Sequence, residues 1–159
     1  MENVEFCNTC GQRIQNARKE TLSKIKLEIL MSAGQLVASR MSNRFKLKEI
    51  EACTEPSHYN NFQKLRYHGL VAKLKIDGQP VRNGWCITRN GFRFLRGKIE
   101  IPKYVLIKQN RVVERSEVLV SLSDAWRGAP YLETQFEYFD EDNNPIGLRP
   151  NYDEQVTLL

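Results

Sequence analysis

The stretch Asn60-Asn61-Phe62-Gln63-Lys64-Leu65-Arg66-Tyr67-His68-Gly69-Leu70-Val71 decides how the rest of the chain is read. Phe62 and Leu65 are three residues apart, and Gln63, Lys64, Arg66 and Tyr67 fill the other face. That spacing predicts a short amphipathic helix. Gly69 follows at once and suits a left-handed C-cap. Leu70-Val71-Ala72-Lys73-Leu74-Lys75-Ile76 then alternates apolar and basic toward its end, the pattern of a strand, and Asp77-Gly78 is a turn signal. A second strand, Gly84-Trp85-Cys86-Ile87-Thr88, is predicted after a loop spanning Asp77 to Asn83.

Helix, glycine, strand, basic loop and strand together resemble a winged helix-turn-helix. The resemblance lies in Leu65-Arg66-Tyr67-His68-Gly69-Leu70-Val71 and continues in Trp85-Cys86-Ile87-Thr88-Arg89-Asn90-Gly91-Phe92-Arg93-Phe94-Leu95, which looks like the close of a wing. It covers roughly residues 20–97. It implies an α+β fold, a winged helix of three helices, a β-hairpin wing and a following helix, with an appended β-rich C-terminal segment. The implied organisation is an N-terminal Cys-x-x-Cys segment over 1–17, a winged helix over 18–97, a β-rich extension over 98–139 and an acidic, flexible tail over 140–159. The implied partner is double-stranded DNA, and the general character of the sequence suggests a small regulator of phage or plasmid type. The alternative is a protein-interaction module, docking or inhibitory, in which the winged helix and the acidic β-rich half bind a partner protein.

Upstream, Lys19 to Arg40 carries Leu22, Ile25, Ile29, Leu36 and Val37 largely on one stripe, with Leu30 and Ala33 beside it, and is expected to form the first core helix. Lys24, Lys26 and Glu28 lie mostly off the stripe. Gly34 marks either a break or a close approach to another helix. Ser42-Asn43 is placed to cap a helix from Arg44 to Cys53, and Ser57 to cap the recognition helix over 58–68. Within that helix Tyr59, Asn60, Gln63 and Lys64 are the candidates for base or phosphate contact. Asn and Gln pair with adenine edges and Lys with guanine or phosphate, and the first turn of such a helix points into the major groove. His68 is expected at a helix C-terminus, which favours its cationic form.

In the wing, Arg82 is expected at the loop tip, in reach of a minor groove or a phosphate, with Lys73 and Lys75 on the strand before it. Trp85 is read as core. Thr88 is placed to cap a helix from Arg89 to Gly97, on which Arg89, Arg93 and Arg96 form one basic stripe. That stripe suits phosphates or an acidic partner, this chain's own tail included. Beyond it, Ile99 to Val113 reads as a hairpin around Gln109-Asn110-Arg111, and Val118 to Leu122 extends the β pattern. Residues 98–139 are a candidate surface for a partner protein, and the helix after the wing a candidate for homodimerisation.

Charge supports the nucleic-acid reading. Residues 1–39 carry 5 basic and 4 acidic side chains, residues 40–111 carry 16 and 5, and residues 112–159 carry 3 and 10. A basic block coinciding with the winged-helix pattern is the electrostatic footprint of phosphate binding.

At the N-terminus, Cys7-Asn8-Thr9-Cys10-Gly11 looks like half of a zinc knuckle, and Cys7 and Cys10 are candidate zinc ligands. With no second Cys-x-x-Cys, zinc would need distant residues or a second chain. A remnant motif and a redox pair are the competing readings. No apolar run reaches the ~18 residues of a membrane span, and the first residues lack the regions of a secretory signal, so a cytoplasmic, membrane-free protein is expected. No phosphate-binding glycine loop, HExxH or ordered Ser-His-Asp set is present, so the expectation is binding without catalysis.

Overall fold

The computed structural model describes residues 5–6, 13–14, 16–134 and 136–146, and the chain is an α+β fold. Strand β1 (Glu5–Phe6) pairs antiparallel with β2 (Arg13–Ile14). Strand β3 (Arg18–Thr21) leads into helix α1 (Lys24–Arg40), so the helix starts later than its apolar stripe suggests. Ser23 sets the boundary as N-cap, its hydroxyl accepting the Lys26 amide at 3.4 Å. The helix buries a broad side through Leu27, Ile29, Leu30, Met31, Ala33 and Val37, whereas Lys24, Ile25, Gln35 and Arg40 are exposed. Gly34 causes no break. A Cβ there would come within 2.9 Å of Leu95 Cδ1, so the glycine permits a close approach.

The helix expected over Arg44–Cys53 is replaced by strand β4 (Phe45–Lys46) and a single 3-10 turn, Leu47–Glu49. Asn43 is the reason. It is fully buried and caps nothing. Its side-chain amide donates to Ile87 O and its oxygen accepts from Ile87 N, both at 2.9 Å, so it acts like one more rung of a ladder and sends the chain out extended.

Helix α2 (Pro56–Lys64) follows, then a 3-10 turn over Leu65–His68 that closes at Gly69 with φ +76°. The helix begins before Ser57, because Pro56 suits the first helical position and needs no amide hydrogen there. His58 Nδ1 accepts the amides of Thr54 and Glu55 at 3.1 and 3.3 Å and takes over the capping.

Strands β5 (Val71–Ile76) and β6 (Gln79–Ile87) form a hairpin around a two-residue turn, with Asp77 at φ 52° and Gly78 at φ 78°. The predicted loop is therefore mostly strand. The register then slips. Lys75 faces Pro80, but Lys73 faces Trp85, so residues 81–84 bulge from the ladder with Asn83 at φ 59°. Arg82 consequently rides on a bulge and not on the wing tip. Strand β4 pairs with β6 through Phe45 and Trp85, giving the sheet order β4-β6-β5. The rings of Phe45, Phe62 and Trp85 meet edge to face beneath α2, with centroids 5.8 and 5.5 Å apart.

Helix α3 (Arg89–Leu95) is capped by Thr88, whose hydroxyl accepts the Gly91 amide at 3.0 Å and donates to Gly69 O at 2.6 Å. Strands β7 (Ile101–Pro102), β8 (Tyr104–Lys108), β9 (Arg111–Arg115) and β10 (Leu119–Val120) follow, then helix α4 (Leu122–Ala125). They form a sheet of order β3-β8-β9 and a pair β7-β10. The β8–β9 turn falls on Gln109 and Asn110, both at positive φ, as the sequence predicts.

Residues 131–146 return to α3. Leu132 N donates to Leu95 O at 2.9 Å, Tyr138 stacks on Phe92 at 4.9 Å, and Ile146 O accepts the Asn43 amide at 3.0 Å. Leu122, Leu132, Tyr138 and Phe139 share one apolar core with Leu27, Phe62 and Ile87. Described residues of the expected extension, and 140–146 of the expected tail, thus pack with the first half; tail residues 147–159 lie outside the described residues. Among the described residues no helix is long and apolar enough to cross a membrane.

Candidate nucleic-acid interface

Helix α2 turns Phe62 into the aromatic cluster and presents Tyr59 and Gln63, one helical turn apart, to an open cleft of about 300 Å³. Lys46, Leu47 and Lys48 form one wall, and Asn83 and Trp85 the other. Sequence reasoning missed Lys46, Lys48 and Asn83. The first two fell inside a predicted helix, and Asn83 reaches the cleft only because of the bulge in β6. The alternation Phe45-Lys46 was the signal for the first.

Among the described residues no carboxylate lines the cleft. Glu49, the acidic residue of this turn, accepts the Lys46 amide at 2.7 Å and pairs with Arg40 at 2.7 Å. Burial works to raise the Glu49 pKa, but the Arg40 guanidinium and the Lys46 amide outweigh it and hold the carboxyl below its ordinary value.

Lys73 extends the site. Residues directly opposite on antiparallel strands share a face. Lys73 faces Trp85, which faces Phe45, so Lys73 is the exposed end of that row. Asn60 is exposed on α2, and Arg82 is exposed next to Asn83. Tyr59, Asn60, Gln63, Lys73 and Arg82 therefore remain available around the helix and hairpin.

The other predicted contacts, Arg93 apart, meet groups of this chain. Lys64 leans away from Gln63 toward Glu20, at 3.9 Å. Glu20 also binds Arg18 Nε at 2.8 Å and Lys26 Nζ at 3.0 Å, a cluster that explains why Lys26 is buried and not on the solvent side. Burial alone would raise the Glu20 pKa; Arg18, Lys26 and Lys64 bring it below its ordinary value. The basic stripe of α3 is divided. Arg89 donates to Asn143 Oδ1 at 3.1 Å and Asp140 O at 3.3 Å, with Glu137 at 3.7 Å. Arg96 donates to Phe136 O at 3.1 Å. Arg93 is exposed.

His68 also departs from expectation. Both ring nitrogens are buried without hydrogen-bond partners among the described residues. Burial, reinforced by Lys26, pushes its pKa down to about 4, so it is neutral where a helix C-terminus would favour the cation. Cys7 and Cys10 lie outside the described residues, and among the described residues no three His, Cys, Asp or Glu side chains converge as a metal site. Cys53 and Cys86 are buried thiols, each pushed up to about 11 by desolvation.

Comparison with protein-family models, with curated proteins and with solved structures finds no match for this chain.

Proposed function

We propose that the chain is a winged-helix protein that binds double-stranded DNA through α2 and the β5–β6 hairpin. The order α1, β4, α2, β5, β6 and the sheet order β4-β6-β5 support the winged-helix reading. The observation that carries the function is the cleft beside α2. Phe62 fixes the helix to the Phe45–Trp85 cluster, and Tyr59, half-buried against the same core, and Gln63 open at the cleft margin beside Lys46 and Lys48. Amide and phenol groups suit base edges, and the flanking lysines suit phosphates.

Fluorescence anisotropy with labelled duplex DNA tests this. Lys46→Ala/Lys48→Ala should weaken binding about tenfold at low salt, with each phosphate contact also lowering the salt slope by about 0.9. Lys64→Ala should leave the affinity within about twofold, since Lys64 serves Glu20. Equal affinity of the wild type and the double variant would contradict the assignment.

Docking to a partner protein through the second half has one observation in its favour, the exposure of Val113, Val118 and Leu119. Such a module would show little duplex affinity at any salt concentration.

A further inference from the structure

A second concave site lies between the turn that follows α2, the start of β5 and α3, and the β8–β9 hairpin. It is an open groove of about 880 Å³ that shares no lining residue with the α2 cleft. Arg66 enters it from the turn, Asn90 from α3, and Asn110, Arg111 and Arg115 from the hairpin. One carboxylate, Glu100, faces these groups. Among the described residues none of the three arginines takes part in an ion pair.

The strand register accounts for Val112 and Arg115 on this wall, while Arg111, opposite Lys108, lines the groove from the end of the hairpin. Val105 faces Arg115 and Ile107 faces Val112, and Val105 and Ile107 are buried. Val112 and Arg115 therefore project from the inner face of the sheet, past the edge of the core. An inward-pointing charge on an edge strand also protects against edge-to-edge pairing. That role explains Arg115 by itself. It does not explain why Arg66 and two asparagines, from separate segments, line the same groove.

The form of the site selects the ligand. A duplex is a convex rod, met by helices and wings that project into its grooves. A concave slot with guanidinium groups on its walls suits one extended strand, whose phosphates follow the charge while bases lie against apolar surface. Pro102 and Val112 supply such surface. Tyr67 does not offer a free ring face, since Arg66 and Arg18 lie over it at 5.0 and 6.0 Å. We propose that this groove binds single-stranded nucleic acid, held chiefly by its phosphodiester backbone on Arg66, Arg111 and Arg115.

The test uses the whole protein and a labelled oligo-dT, with a duplex and a poly-glutamate peptide as comparison ligands, read by anisotropy. Arg111→Ala/Arg115→Ala should weaken oligo-dT binding about tenfold or more and lower its salt slope by about 1.4, two contacts at about 0.7 each. Its duplex affinity should stay within about twofold, and unchanged thermal unfolding checks that the exposed substitutions leave the fold intact. Arg111→Gln/Arg115→Gln serves as a second variant if the alanine pair unfolds. The proposal is overturned if wild type does not bind oligo-dT, if the variants bind it as wild type does, or if poly-glutamate occupies the arginine site more tightly. Duplex binding that falls together with oligo-dT binding would also overturn it, by making the groove part of the duplex interface. Failure of wild type to bind duplex would count only against the α2 reading.

Discussion

His68 packs between the Glu20–Lys26 cluster and the groove with no partner, among the described residues, for either ring nitrogen. Neutral burial of this kind makes stability depend on pH. The folded pKa of about 4 lies below the ordinary 6.5, so the unfolded chain binds a proton over a range where the folded chain does not. The contribution is whole above about pH 6.5 and is lost as pH falls toward 4. At about 1.4 kcal/mol per pKa unit, its upper limit is about 3 kcal/mol. Glu20, whose pKa is lowered, adds a loss of the same sign at still lower pH. Urea midpoints at pH 7.5 and 5 should therefore differ, the acidic one being lower, and His68→Gln should remove most of the difference. An equal difference in wild type and variant would mean that another group is responsible. The sequence showed a histidine before a glycine, which fits a cationic C-cap; it did not show that β3 and α1 would bury the ring.

Several elements were legible because their signals are local. Gly69 ends the turn after α2, Thr88 caps α3, and Gln109-Asn110 turns the second hairpin. The failures share a long-range cause. Asn43 reads as a cap from its neighbours, but its partner Ile87 is 44 residues away. The register slip that moves Arg82 off the wing tip depends on how residues 81–84 pack against Leu74, which Gly84 permits by having no Cβ. The α3 stripe was legible as charge, while its occupant followed only from the return of residues 131–146. That segment is an element of the fold. Tyr138→Ala removes the ring stacked on Phe92 and should cost about 3 kcal/mol of stability, read as a lower urea midpoint. A midpoint equal to that of wild type would mean the segment does not hold α3.

At the scale of the whole molecule, charge is unevenly used. The basic middle of the chain supplies structural ion pairs, such as Arg40 with Glu49 and Lys64 with Glu20, and also cations that, among the described residues, join no ion pair and line two separate concavities. Composition made the excess legible but not its division, because sequence does not show which arginines meet a backbone carbonyl. Arg89 and Arg96, predicted for phosphates or for an acidic partner such as the chain's own tail, bind the chain's own C-terminal half, while Lys46 and Lys48, unpredicted, stand beside α2.

The most direct measurement of the central claim is the affinity of the full chain for duplex DNA as a function of salt. Contacts from Lys46, Lys48, Lys73 and Arg82 should give a log–log slope of about −3 to −4, at about 0.9 per phosphate. A slope near zero, or no binding at low salt, would contradict the assignment of α2 and the hairpin to DNA.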